Sequence, residues 1–375
     1  VRGEADVTGN VLGKRFVVVS FGESHGRCVG AVVDGCPAGL QFSEADIQPL
    51  LDLRRPGQSL VTTQRREEDR AEILSGVFNG YTTGAPIAML TWNKDVISRD
   101  YRIVLETPRP GHADYFARLK YGGFNDYRGG GRFSGRITTG FVMAGALALK
   151  LLRETLGIEV LAYTKSIGGI EARELDIDTI RRKRWLNEVR CPDEEAASAM
   201  KELILQAKSE GDSVGGIVEC IALNVPAGLG EPVFDALDAE IAKALFGIPA
   251  VKGVEFGAGF QAARMRGSQH NDPLGLVGGK VLPLTNNAGG VVGGLSTGRE
   301  IVVRAVFKPA SSIGRPQRTL NTSKGEMEEI VVTGRHDPSV VPRAVPVVEA
   351  VVGIVLADHA IRAGLIPPTL IGETR

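Results

Sequence analysis

The chain carries 48 glycines in 375 residues, roughly twice the usual share, and their placement limits the possible folds more than any other feature. Glycine loses more conformational freedom on folding than any other residue and weakens the interiors of helices and strands. A chain this rich in glycine therefore keeps most of it in the connections. Here the glycines form no Gly-Ser linker. They cluster beside Arg, Ser, Asn and Asp, as in Gly129-Gly130-Gly131-Arg132-Phe133-Ser134-Gly135-Arg136, Arg264-Met265-Arg266-Gly267-Ser268 and the run from Ala288 to Gly298. Such clustering indicates ordered, ligand-facing loops between packed elements.

Three segments set an ionisable side chain beside glycine or proline: Gly22-Glu23-Ser24-His25-Gly26, Arg109-Pro110-Gly111-His112-Ala113-Asp114 and Gly334-Arg335-His336-Asp337-Pro338. The chain has five histidines, and three of them sit in these segments. Histidine titrates nearest neutrality, so imidazoles on loops of rigid backbone are candidates for proton transfer. An ordinary turn with a solvated histidine accounts for any one of them. Three together, interspersed with Arg-Gly loops, point to a shared site.

Composition narrows the class of function. Lys plus Arg and Asp plus Glu number 44 each, whereas a nucleic-acid binder usually shows a basic excess. The Arg-Gly loops also lack the interleaved aromatics of a stacking platform, which disfavours the rival reading of an RNA-binding protein. Net neutrality still permits a local positive cleft. Cys28, Cys36, Cys191 and Cys220 form no CxxC pair and no metal-ligand spacing with histidine. No metal is expected, and such sparse use of cysteine suits a reducing, cytoplasmic compartment. The opening VRGEADVTGN is polar and carries acidic residues, unlike a secretory signal. The most apolar run, Val340 to Leu356, is interrupted by Pro342, Arg343, Pro346 and Glu349, which argues against a membrane span.

Periodicity and turn residues give a mixed α and β chain. Phe16 to Val19 reads as a buried strand entering the Gly22 loop, and Cys28 to Val33 as a second. Ser43 caps a helix that runs to about Leu53 and ends at Arg54-Arg55-Pro56-Gly57. The arginines around the next segment, Arg54, Arg55, Arg65 and Arg66, are either a solvated group neutralised by Glu67, Glu68 and Asp69 or an anion site. Strands are expected at Ile73 to Phe78, Pro86 to Trp92, Val214 to Leu223, Glu300 to Phe307 and Glu329 to Val332. Helices are expected at Ala113 to Tyr121, Thr138 to Glu154, Asp176 to Glu188, Asp193 to Glu210, Asp235 to Phe246 and Val345 to Ala363. Gly130 to Thr139 and Gly289 to Gly298 share a Gly-Gly pattern, for which an internal duplication and convergent loop chemistry both stay open.

Gly129 to Arg136, opening onto the Thr138 helix, can present backbone N–H groups and a positive helix end to phosphate. Lys308 with Ser311 and Ser312 offers a cation and two hydroxyls after a strand. Neither a P-loop nor a dinucleotide GxGxxG unit is present. Taken in order, eleven segments resemble the chorismate synthase family: FGESHG (21–26), DGCPAGL (34–40), RRPGQS (54–59), TTQRREED (62–69), ILSGVF (73–78), RPGHADY (109–115), DYRGGGRFSGR (126–136), AVKGVEFG (250–257), AGGVVGGLSTG (288–298), FKPASSI (307–313) and GRHDPSVVPRAVPVVEA (334–350). The likeness runs from about Asn10 to about Ala363.

That resemblance implies an α+β fold: one domain over residues 11–365, with antiparallel sheets and helices packed between them, an extension at 1–10 and a tail at 366–375. It implies a homotetramer and the last step of the shikimate pathway, in which 5-enolpyruvylshikimate 3-phosphate loses phosphate by a 1,4-anti elimination to give chorismate. It also implies a requirement for reduced FMN. The C6 hydrogen of the substrate has no adjacent carbonyl to acidify it, so no side-chain base removes it directly, and the cofactor carries that difficulty. The flavin is kept reduced by an external reductase or by the chain's own NAD(P)H-dependent activity.

Residue by residue, the resemblance assigns His25, with Ser24 beside it, to protonation of the departing phosphate. It assigns His112 to the anionic flavin, and Asp337 with Ser134 to a proton relay. Arg54, Arg109, Arg136 and Arg335 are assigned to the substrate's phosphate and carboxylates, Arg335 also to the flavin. Arg132, Phe133, Ser134, Ala250, Gly293, Lys308, Pro309, Ala310, Ser311 and Ser312 are assigned to FMN. Two positions depart from the family. Leu60 stands where many relatives carry a further arginine, leaving a gap for Arg65 or Arg66 and weakening the transfer of a nicotinamide site. Phe133 replaces a small hydroxyl residue.

Overall fold

The structure is a computed structural model that describes residues 9–57, 61, 68–94, 103–332 and 337–370. Leu60, Arg65, Arg66, Arg335 and His336 lie outside the described residues. Two five-stranded antiparallel sheets form the outer layers. The first runs in the order Val11–Leu12, Val17–Gly22, Cys28–Asp34, Ile87–Trp92, Glu72–Ile73. The second runs Val251–Phe256, Ile301–Phe307, Gly216–Leu223, Glu159–Ile167, Ile170–Glu171. Antiparallel strands with one face on a core alternate buried and exposed residues. Ile301–Phe307 does so: Ile301, Val303, Ala305 and Phe307 are buried, whereas Val306 is 37% exposed.

Between the sheets lie the helices Glu44–Arg54, Thr138–Leu156, Leu237–Phe246 and Val341–Arg362. Thr138–Leu156 packs on the first sheet and Val341–Arg362 on the second, and the two cross each other at the centre. A Cβ on Gly145 would lie 2.2 Å from the Cβ of Ala350, so the backbones meet this closely only because position 145 is glycine. Glu349 fixes the second helix to its sheet by pairing with Arg184 and accepting the Ala162 N–H at 2.9 Å. Both helices are long and apolar enough to cross a membrane, yet 78% and 94% of their apolar windows are buried inside the protein. Their hydrophobicity serves the core.

Several expectations change. The last helix starts at Val341, not Val345, with Pro342 in the first turn and Pro346 inside. Pro342 sits where a helix needs no N–H partner; Pro346 made the start look later than it is. The helix expected over Asp176 to Glu188 is shorter, Ile177–Lys183, capped by Asp176 accepting the Thr179 N–H at 2.9 Å. Ile73 to Phe78 is two short strands, Glu72–Ile73 and Val77–Phe78. Glu159–Ile167 and Val251–Phe256 are strands to which the sequence reading assigned nothing. The run 130–139 forms 3-10 turns leading into a helix, whereas 289–298 is built around the hairpin Val291–Val292 with Leu295–Ser296. Their likeness is one of composition, not of structure. The segment read as a tail is docked as far as Leu370, since Ile366 is buried and Leu370 N donates to Ala38 O at 2.8 Å.

Candidate active site

The loop after strand Val17–Gly22 presents Ser24 and His25, and Asn93 Nδ2 pins it by donating to Glu23 O at 3.0 Å and Gly26 O at 2.9 Å. Facing it is the triple glycine 129–131, with φ of +59°, +84° and +52°. A Cβ at Gly129 would lie 2.3 Å from His25 Cδ2 and 2.8 Å from Ser24 Oγ; one at Gly130 would lie 3.1 Å from His112 Nε2. Two successive glycines thus stand against the two histidines, and left-handed backbone brings each ring close. This is how segments 21–26, 109–114 and 126–136 become one site.

His112 is held from behind. Its Nδ1 lies 2.7 Å from Asp114 Oδ1. A carboxylate only accepts, so Nδ1 carries the hydrogen, while Arg109 Nη2 lies 3.2 Å from Nε2. Arg109 grips the same carboxylate with Nε at 2.8 Å from Oδ2 and Nη2 at 2.8 Å from Oδ1, and its Nη1 donates to Ser312 Oγ at 2.8 Å. Burial pushes the Asp114 carboxyl up, but hydrogen bonds from Arg109 and His112 outweigh it and hold the group well below the carboxylate range. Lys308 Nζ donates to Ser311 Oγ at 2.6 Å, and Ser311 Oγ donates to Gly111 O at 2.8 Å. Burial and the neighbouring Lys252 lower the Lys308 pKa, a strain that a bound anion relieves.

A second group lies across the cavity. Arg54 donates from Nη2 to Gly135 O at 2.5 Å and from Nε to Thr138 Oγ1 at 3.2 Å. Arg136 donates from Nε to Asn93 Oδ1 at 2.9 Å. Both also pair with Asp69. Arg343 pairs with Asp337 and donates from Nε to Arg54 O at 2.9 Å.

These groups surround a cavity of about 570 Å³, within the range that holds small-molecule ligands. Among the described residues seven cations line it, Arg54, Arg109, Arg132, Arg136, Lys252, Lys308 and Arg343, against one carboxylate, Asp337. Phe246, Ile248, Pro249 and Val251 supply an apolar stretch of wall. A second cleft of about 680 Å³, which shares Asp69, is lined by Glu44, Glu68, Asp69 and Glu72 with Arg70 and Lys94, and by no histidine among the described residues. Its four carboxylates outnumber its two cations, so it suits an anion less well than the first cavity.

The cavity gathers Ser24, Arg54, Arg109, His112, Arg132, Phe133, Ser134, Arg136, Ala250, Lys308, Ala310, Ser311, Ser312 and Asp337 from the sequence expectations. His25 stands just behind Ser24 and Gly129, 7% exposed. Pro309 turns the chain behind Lys308, and its carbonyl accepts from Lys308 Nζ at 3.3 Å. Gly293 is exposed on its hairpin and does not line the cavity of this chain. Arg132 lines the cavity but directs Nη1 to Gly22 O at 2.9 Å and Nη2 to Asn10 Oδ1 at 2.9 Å. Both bonds also tie it to the first sheet. Sequence reasoning missed Asp69, Asn93, Asp114, Lys252, Arg343 and the apolar wall. Asp69, Asp114, Lys252 and Arg343 fall inside segments it quoted; pairing with named arginines distinguishes the two carboxylates, and pairing with Asp337 distinguishes Arg343.

Comparison with known proteins agrees with this geometry. A family model described as chorismate synthase matches residues 16–361. The chorismate synthase of Korarchaeum cryptofilum is 57% identical over 355 residues, covering 95% of this chain and 98% of that protein. That of Methanosarcina acetivorans is 54% identical over 367 residues, covering 98% and 100%. A crystal structure of chorismate synthase superposes with a TM-score of 0.73 at 32% identity, over 94% of this chain and 93% of that one. The match of the family model, these identities over nearly the whole chain and the shared arrangement of antiparallel sheets and packed helices place this chain in the chorismate synthase family, and its activity is the last step of the shikimate pathway.

Proposed function

We propose that the cavity binds 5-enolpyruvylshikimate 3-phosphate and reduced FMN together and there eliminates phosphate to form chorismate. One observation carries this reading: among the described residues seven cations and a single carboxylate line a cavity that His112 also lines, with His25 packed behind its Gly129 wall. Such a lining suits a substrate with one phosphate and two carboxylates beside a cofactor that brings a further phosphate. The residues present fit the cofactor. Lys308, Ser311 and Ser312 offer a cation and hydroxyls to its phosphate, and the wall from Phe246 to Val251 offers an apolar face to a flat ring.

When bound, reduced FMN supplies the electron density that allows a non-acidic C–H to be lost with a phosphate ester. The chain does the rest. Arg54, Arg109 and Arg136 hold the substrate's anionic groups, with Arg335 assigned alongside them by the resemblance. His25, flanked by Ser24, gives a proton to the leaving phosphate. His112 keeps its Nδ1 hydrogen on Asp114 and, with Arg109 Nη2 beside its Nε2, turns this cationic edge to the cofactor, while Asp337 and Ser134 carry a proton away. In an anaerobic assay with chemically reduced FMN, His25→Ala and His112→Ala are each expected to lower phosphate release by about 100-fold or more. Release within a few-fold of the parent contradicts the roles. Replacing the chemical reductant by NADPH with oxidised FMN separates an own reductase activity from dependence on an external one.

The same reading places the enzyme in the cytoplasm as a homotetramer. All four cysteines are free, which suits a reducing compartment. Exposed Leu274, Leu276 and Val281 on one hairpin, with Phe234 and Phe260, suit burial against further copies.

A further inference from the structure

Asp69 stands behind the arginines of the cavity rather than in it. Its side chain is fully buried, 0% exposed, and its two oxygens are divided between Arg136 Nη1 on Oδ1 and Arg54 Nη1 on Oδ2, the latter at 3.3 Å. Its backbone is left-handed, with φ +46°, a conformation that aspartate tolerates better than most residues. Burial pushes its carboxyl up, but the Arg136 and Arg54 guanidiniums, with Arg343 behind them, hold it below its usual value. The node reaches both proton-transfer groups. Through Arg136 it connects to Asn93, which pins the His25 loop at Glu23 O and Gly26 O. Through Arg54 it connects to Arg343, which takes Arg54 O and pairs with Asp337.

We infer that Asp69 is a positioning residue for the elimination: its carboxylate holds Arg54 and Arg136 at one spacing against a single anionic substrate and ties that spacing to the His25 loop. The inference rests on the reading that these two arginines face the substrate. Neutralising Asp69 has two effects of opposite sign. The cavity becomes more positive, which favours any anion without regard to direction. The guanidiniums lose their shared anchor, which misaligns the substrate, and a displacement of about 1 Å costs roughly 100-fold in rate.

The test uses Asp69→Asn and Asp69→Glu in the full chain. It measures Tm, the calorimetric Kd for inorganic phosphate, and anaerobic kcat and KM with reduced FMN. The expected result is a kcat about 100-fold lower in both variants, with phosphate bound as tightly as before or more tightly. A merely structural residue would lower phosphate affinity and Tm together. A folded variant with kcat within threefold overturns the inference, as does phosphate affinity that falls as steeply as kcat. If Asp69→Asn does not fold, Asp69→Glu decides by the same criteria, and failure of both to fold marks the residue as structural and also overturns it. Arg54→Ala, measured alongside, separates the two ideas: unchanged KM and kcat there refutes the substrate-facing reading itself.

Discussion

Replacing Asp114 by asparagine tests how His112 is prepared. In the structure that carboxylate accepts Arg109 N at 3.2 Å, Arg109 Nε and Nη2 at 2.8 Å, and His112 Nδ1 at 2.7 Å, with its side chain 3% exposed. Asparagine keeps the shape but removes the buried charge that Arg109, itself 5% exposed, grips with two nitrogens. Breaking one side of a buried ion pair costs about 3–5 kcal/mol, so a marked fall in Tm is expected. The amide also offers a donor where the carboxylate offered only acceptors, so the hydrogen of His112 is no longer fixed on Nδ1. With the ring free to turn, kcat is expected to fall by about 100-fold. The pH dependence follows from the direction of the pKa. The carboxyl is held below its unfolded value of about 3.9, so its stabilisation is present above that value and is lost as the pH falls below it. Thermal denaturation from pH 5 to pH 3 should therefore weaken the parent more steeply than Asp114→Asn. A variant within about 1 kcal/mol of the parent, with kcat unchanged and the same acid slope, refutes the reasoning.

Gly129→Ala would place a Cβ 2.3 Å from His25 Cδ2 at φ +59°, and is expected to cost about 1–2 kcal/mol and to lower kcat at least about tenfold by displacing the ring. A variant with parent-like kcat and Tm contradicts the close approach. Lys308→Met removes the cation from the Ser311 group. Loss of a charge-assisted hydrogen bond costs about 1.5–3 kcal/mol, so reduced FMN should bind about 10–100-fold more weakly in an anaerobic flavin titration. Unchanged affinity would move the cofactor phosphate elsewhere.

Much of the site is legible in the sequence because its residues sit in segments punctuated by glycine and proline. Gly22, Gly111 and Gly129 mark turns that bring Ser24, His112 and the Arg132 region to one cavity. What is not legible depends on burial and direction. Asp69 reads as one member of a solvated acidic run, and only the fold shows it sealed between two arginines. Gly293 has the composition of a ligand loop, yet it is exposed and does not line this chain's cavity. Arg343 looks like a charge interrupting an apolar run, whereas it opens the last helix and grips Asp337. Glu159–Ile167 escaped assignment for a related reason. It is buried on nearly every residue, between the core helices and the small cluster of Leu161, Tyr163, Ile180 and Ile221, so it lacks the alternation that marks a strand exposed on one face.

The central claim is that one cationic pocket seats the flavin and the substrate in mutual contact, with the imidazoles of His25 and His112 at its glycine ridge. A crystal structure of the protein soaked anaerobically with both molecules measures this directly. The account expects the flavin phosphate at Lys308, Ser311 and Ser312, the substrate's anionic groups against Arg54, Arg109 and Arg136, and both histidines within hydrogen-bond reach of a ligand. Density for either molecule in the acidic cleft beyond Asp69, or a substrate bound with its phosphate remote from His25, contradicts it.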